Sequence, residues 1–372
     1  MKHDFTKVIE KTLQNNFGEN SEEIYQKSEL LQYLNIKTKS ANEGSKARGS
    51  FGNLYASYVL IADYIALNFD TQGGYHDYEG AKFSSLFQRQ RALPFGAKLQ
   101  NHALNHRMNQ EFRKYFPTCE YVPIIRDSES SRYWINENLL KIKVNKLEHN
   151  VAHSVIQIID SYIETKKGAF NRFIKTIEEL KNISDKKPKM AYAFITGLLA
   201  PNIDARIFEI VSYAILKYFY HDQVVYFGFD LDNIEKHNLK LYKTGRTNAN
   251  DGGIDFVMKP LGRFFQVTET TDVRKYFLDI DKVQRFPISF VIKSDIIVEE
   301  LKEKIRGKAE EQYGVKAIVN KYMDAIEELF NIPKIRENFE KAVELGYQKA
   351  ILDEIILQSK LEFNYEDDVL IE

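Results

Sequence analysis

The densest chemical grouping in the chain lies in "IDFVMKPLGRFFQVTE", residues 254–269. An acid, Asp255, opens one apolar run. Pro260 and Leu261-Gly262 then mark a tight turn, and a second run carries Gln266 and Thr268. With Leu261-Gly262 at the centre of a two-residue turn, Val257 faces Gln266 and Asp255 faces Thr268, because glycine accepts the positive φ such turns need. Opposed strand residues share a face. One face then presents Asp255, Gln266 and Thr268, and the other presents Phe256, Phe265 and Val267 to a core. A carboxylate beside neutral oxygens suits Mg²⁺, which takes oxygen ligands and keeps several waters. Water activated by such an ion is the natural nucleophile for a phosphodiester. The preceding "NANDGG" (248–253) is a loop whose backbone can approach a phosphate closely.

This hairpin needs a scaffold, and the surrounding pattern predicts one. "ARIFEIVSYAILKYFY" (205–220) reads as an amphipathic helix, with Ile207, Val211, Ala214, Ile215 and Tyr218 on one stripe. Glu209 falls off that stripe, where an acid is ordinarily solvated. "QVVYFGF" and "LKLYK" read as strands before the hairpin, and "ISFVI" (288–292) as a strand after it, from their β-branched and aromatic content. Residues 1–35 and 54–69 read as helices, 70–135 as mixed, and 138–220 as helices broken near Lys167-Gly168, near "ISDKKPK" and at Pro201. From 295 to about 360 the charged pattern predicts helices. The expected division is 1–150 (mixed and helical), 151–200 (helical connector), 201–295 (α/β core) and 296–372 (helices for packing or dimerisation).

"DGGIDF…FFQVT" resembles the core of the PD-(D/E)XK nuclease superfamily, in its restriction-endonuclease branch with Gln in the Glu position. The Mrr-like restriction enzymes are the most similar pattern. They carry a helix with Phe-Glu, a strand, Asp-Gly-Gly-Ile-Asp and then Gln-x-Lys; here "ARIFEIV", "QVVYFG", "NDGGID" and "FFQVT" follow in that order. The resemblance covers roughly 204–293. It implies an α/β (α+β) fold, a restriction-endonuclease-like mixed-sheet core flanked by helices, with a mainly helical N-terminal region. It further implies that Asp255 and Gln266 hold Mg²⁺, that Glu209 supports them from the helix, and that the substrate is double-stranded DNA. The departure is Thr268, where the family has Lys. Three arrangements answer it: a cation from elsewhere (Lys275, or Lys259 at roughly 13 Å along the strand), water activated without a basic side chain and positioned by Thr268, or an inactive site.

The rest of the chain bounds these readings. A net charge of −1 hides an asymmetry: residues 294–372 hold 11 Lys/Arg against 19 Asp/Glu, leaving the remainder at +7, which suits a nucleic-acid partner. Residues 73–116 hold seven Lys/Arg against three Asp/Glu. There Arg89, Arg91, Lys98, Arg107, Arg113 and Lys114 alternate with aromatic and amide residues, the types that contact phosphates and bases. Arg126 and Arg132 in "IIRDSESSRYW" form a second candidate DNA surface. His102/His106 and His149/His153 stand four apart without a third ligand, so zinc is not expected. A single cysteine, Cys119, excludes an internal disulfide framework. No phosphate loop of the GxxxxGK[ST] type and no Gly-x-Ser-x-Gly elbow occur. No apolar run is long enough for a membrane span, and the expected location is cytoplasmic. The sequence therefore points to a type II restriction endonuclease, active as a homodimer on palindromic sites beside a host-protecting DNA methyltransferase that the resemblance implies. Two rivals share the core: a modification-dependent or repair nuclease, and a non-catalytic DNA-binding protein.

Overall fold

Most apolar runs of the chain form helices, and the β-branched runs after residue 220 form the larger sheet. The computed structural model describes residues 2–39, 41, 47–97, 99–244, 254–269 and 273–363; the "NANDGG" loop and Lys98 lie outside the described residues. The chain folds as two units, one of residues 1–173 with 360–372 and one of residues 174–359. No described helix is long and apolar enough to cross a membrane.

In chain order the first unit contains α1 (Thr6–Phe17), α2 (Ser21–Lys27), α3 (Glu29–Thr38), α4 (Ala47–Ala66), α5 (Phe69–Gln72), β1 (Ala81–Lys82), α6 (Phe83–Ala92), α7 (Met108–Tyr115), β2 (Ile124–Asp127), β3 (Arg132–Ile135), β4 (Lys141–Val144), β5 (Leu147–Asn150) and the start of α8 (Ala152–Ile183). Its core gathers Tyr33, Tyr55, Tyr64, Phe112 and Tyr162, all fully buried. Ser28 starts α3 by accepting the Leu31 amide on its side-chain oxygen at 3.2 Å, a cap of about 1 kcal/mol. The expected break near Lys167-Gly168 does not occur: Gly168 sits inside α8. A glycine inside a helix costs only about 1 kcal/mol, and the apolar residues on either side outweigh it.

The second unit continues with α9 (Pro188–Gly197), α10 (Ala205–Phe219), β6 (Val224–Phe227), β7 (Glu235–Asn238), β8 (Lys240–Lys243), β9 (Phe256–Lys259), β10 (Arg263–Thr268), α11 (Val273–Lys282), β11 (Ile288–Ile292), α12 (Val298–Tyr313), α13 (Lys316–Asp324), β12 (Ile326–Phe330), α14 (Ile332–Glu344) and α15 (Gln348–Phe363). Five strands form one mixed sheet in the order β12-β11-β10-β9-β8. β10, β11 and β12 are parallel, and β9 and β8 join antiparallel. α10 covers one face through Tyr213 on Phe256, with ring centroids 5.2 Å apart, and Tyr220 on Phe265 at 6.5 Å. The other face carries Phe264, Ile288, Phe290 and Ile292 into a core with Tyr276 and Phe277 of α11 and Leu301 and Ile305 of α12.

Three expectations change. β6 ("VVYF") is not the strand that leads into the hairpin; it pairs with β7 as a separate two-stranded ribbon, and β8 ("KLYK") takes the sheet position instead. β12 lies where only charged helices were expected. "IEELF" looks polar, yet it buries Ile326, Leu329 and Phe330 on the parallel edge. The hairpin register is also displaced: Val257 pairs with Phe264 and Phe256 with Phe265. Met258 and Arg263 are the last pair of the hairpin, so four residues separate the paired positions; Lys259 still belongs to β9, and residues 260–262 form the turn, with Gly262 at φ 67. The displacement is even, so residues of β10 keep their faces.

Candidate active site at the end of a strand

α10 brings the first acid. Asp204 caps the helix, its carboxylate accepting the Arg206 amide at 2.6 Å, and sets Arg206 and Glu209 on the first turns. Glu209 is buried, only 4% exposed, and not solvated as an acid off the apolar stripe ordinarily is. All residues from Phe208 to Leu216 are buried, so the helix has no wet face there. Its burial is compensated by two cations. Arg206 pairs with one carboxylate oxygen, and Lys243, the last residue of β8, reaches the other at 3.1 Å.

Asp255 stands where β9 begins. Its amide donates to the Phe265 carbonyl at 2.9 Å although Phe256 is already the ladder partner of Phe265. Two residues thus oppose one, a bulge-like irregularity that re-aims a side chain. The Asp255 carboxylate swings into the ladder and accepts the Val267 amide at 2.7 Å. On the same residue, the Gln266 side-chain amide donates to the Val267 carbonyl at 3.2 Å. Val267 lies past the last paired residue of β9, so its two backbone groups have lost their strand partner and are satisfied by side chains instead. This brings Asp255 and Gln266 together at one point of the β10 edge, flanking a single residue.

The two groups are not equally content. Gln266 must turn its NH₂ to the Val267 carbonyl, so its Oε1 is fixed as the other atom; that oxygen is buried with no hydrogen-bond partner among the described residues. Burial, reinforced by the neighbouring Glu209 carboxylate, pushes the Asp255 pKa up to about 7, against the Val267 hydrogen bond and the Arg206 and Lys243 charges. Burial likewise raises Asp204 above the usual carboxylate range, helped by Glu269. Glu269 follows β10 and pairs at 2.6 Å with Lys293, just past β11, whose ammonium also donates to the Ile203 carbonyl.

Thr268 is buried, 3% exposed, and by strand alternation shares the side of Phe264, where Ile292 is its parallel partner. The expected pairing of Thr268 with Asp255 is therefore not formed; the longer turn moves Asp255 away from it. Lys275 is exposed on α11 and Lys259 lies over the Tyr242 ring at 5.5 Å at the far end of β9; neither reaches the acids. The cations that do so, Arg206 and Lys243, were not singled out in the sequence. Lys243 ends a strand three residues after Lys240, and no spacing rule ties it to Glu209.

Among the described residues, no three of His, Cys, Asp and Glu stand close enough to enclose a metal ion. His149 and His153 are occupied separately, His149 packing on Phe17 and His153 meeting Asp70 at 2.8 Å, whereas the His102 and His106 rings pack edge to face with centroids 5.7 Å apart. A magnesium ion, however, needs few protein ligands because it keeps its waters. Asp255, with one hydrogen bond to its carboxylate, and Gln266 Oε1, without a partner among the described residues, are oxygen donors of the type that requirement names, and both flank Val267.

The expected DNA-contacting residues divide into two groups. Arg89 pairs with Asp63 and donates to the Val59 carbonyl at 3.3 Å. Arg91 donates to the Ala97 carbonyl at 2.7 Å, and Arg132 to the Gly80 carbonyl at 2.7 Å. These three hold their own unit together. Arg107, Arg113, Lys114 and Arg126 are exposed and make no ion pair among the described residues.

No protein-family model, curated protein or solved structure matches the chain.

Proposed function

We propose that the chain is a Mg²⁺-dependent endodeoxyribonuclease of the type II restriction class, hydrolysing phosphodiesters of double-stranded DNA. One observation carries this reading: the Asp255 carboxylate and the Gln266 oxygen, which has no partner among the described residues, flank Val267 where its strand's pairing with β9 ends, backed by a buried acid–cation cluster. The element order supports it too, with an acid-bearing helix before the hairpin and a mixed sheet flanked by helices.

On this reading Asp255 and Gln266 hold Mg²⁺, which when bound neutralises phosphate charge and acidifies water. Asp255, its pKa raised to about 7 by burial beside Glu209, holds its proton in mild acid, so cation binding displaces that proton and strengthens as pH rises. Glu209 acts through its neighbours: it anchors Arg206 and Lys243 beside Asp255. Those two cations take the part that the lysine at position 268 has in the resembling family, and Thr268 stays buried on the Gln266 side of β10. A two-fold dimer and a protecting methyltransferase belong to the same reading.

The non-catalytic alternative draws on one fact: Asp255 and Gln266 already serve the backbone of Val267. Digestion of unmethylated phage DNA with and without Mg²⁺, beside Asp255→Ala, separates the two. Discrete Mg²⁺-dependent fragments lost in the variant are expected. Intact DNA under all conditions, methylated substrate included, would leave the binding protein.

A further inference from the structure

Beside the edge strand of the sheet lies a groove of about 580 Å³ lined by Lys236, Lys240, Lys259, His221, His237 and Tyr242. No carboxylate lines it. The three lysines are exposed and make no ion pair among the described residues; His237 stands 3.5 Å from Glu235. Unneutralised ammonium groups converging on a concave surface repel one another, and an anion relieves that repulsion.

The register orders this surface. Lys240 is the cross-strand partner of Lys259, and Tyr242 of Val257, so Lys240, Lys259 and Tyr242 share one side of the β8–β9 pair. On the β6–β7 ribbon, Lys236 is the partner of Tyr226, which is 74% exposed. Lysines thus stand beside exposed aromatic rings from two separate ribbons. From Lys259 back to Asp255 the chain covers four residues of β9, roughly 13 Å. That is the rise of about four nucleotides of one DNA strand at 3.4 Å each. Lys240 and Lys259 thus form one cationic point about four nucleotides from Asp255 along β9, and Lys236 on the neighbouring ribbon adds a second.

We propose that this groove binds the sugar–phosphate backbone of a DNA duplex and leads one strand along β8–β9 to Asp255. The proposal deepens the nuclease reading and rests on it for the identity of the ligand. Lys236, Lys240 and Lys259 contact phosphates, and Tyr242 and Tyr226 pack against the sugar edge. It assigns backbone binding rather than base recognition to this surface.

The test is fluorescence anisotropy of a labelled duplex in EDTA across a range of NaCl, with the full chain. Replacing three phosphate-contacting lysines by glutamine (K236Q/K240Q/K259Q) is expected to flatten the slope of log K against log salt by about 2.7, at about 0.9 per contact. The charge-preserving K236R/K240R/K259R retains both slope and affinity. An unchanged slope in the glutamine variant overturns the proposal, as does an equal loss in the arginine variant. Polyglutamate binding as tightly as the duplex would instead assign the groove to an acidic protein. Cleavage measured on the same wild-type preparation with EDTA replaced by excess Mg²⁺ keeps the two ideas apart: groove-dependent binding without Mg²⁺-dependent cleavage sinks the nuclease reading and leaves the groove as a DNA site.

Discussion

Replacing Asp255 by asparagine should stabilise the metal-free protein, and do so only above mild acid. The ordinary aspartate pKa is 3.8 and burial beside Glu209 pushes it to about 7. At about 1.36 kcal/mol per pH unit, that difference amounts to roughly 4 kcal/mol of folding free energy as a ceiling. The sign follows from linkage. Below pH 3.8 the carboxyl is neutral in both states and the stability is fully present. Between 3.8 and 7 the unfolded chain ionises while the folded one keeps its proton, so stability falls. Above 7 both are ionised and the loss is complete. Asparagine never ionises, and its Oδ1 can still accept the Val267 amide. The stability difference between variant and wild type should therefore grow from pH 4 to pH 7 and stay flat to pH 9. At about 2–4 °C per kcal/mol for a unit of this size, thermal melts in EDTA should separate by up to roughly 8–16 °C at pH 8. Parallel melting curves across the whole range would refute the burial argument.

Other outcomes follow from the same geometry. Mg²⁺ at about a hundred times its Kd should add roughly 2.7 kcal/mol of stability, measured by melts at pH 8, and Asp255→Asn should abolish the gain. Glu209→Ala leaves Arg206 and Lys243 without their buried partner and should cost about 3–5 kcal/mol in urea titration, whereas a surface acid would cost almost nothing. Lys243→Met should lower cleavage roughly 10–100-fold, the range for a group that tunes a metal site from outside it, while Lys275→Ala leaves the rate unchanged. Phe265→Ala empties a fully buried ring site between α10 and the sheet, and should destabilise by about 3–5 kcal/mol with no dependence on Mg²⁺.

The hairpin was legible because its signals are local: alternation of apolar residues, a glycine turn and an acid at the strand start. The face of every β10 residue followed from period two alone. The register did not, since residues 259–262 could close a two- or a four-residue turn, and nothing in four letters decides between them. The partnership of Lys243 with Glu209 was hidden for a different reason. It joins residues 34 positions apart through the packing of β8 on α10, and packing is a property of the assembled sheet. β12 was hidden because "IEELF" owes its strand state to a parallel neighbour, Ile288–Ile292, rather than to its own propensity. Arg89 and Arg132 carry the opposite lesson: arginines in a basic stretch read as DNA contacts, but carbonyl oxygens and acids of the same unit already occupy them.

Val267 gives the site a reporter of its own. Its amide proton is shielded from solvent exchange by a carboxylate rather than by a neighbouring strand, so its exchange rate and its nuclear magnetic resonance frequency are tied to the ionisation of one side chain. A single backbone resonance would therefore follow titration or cation loading at Asp255 without substrate, label or turnover.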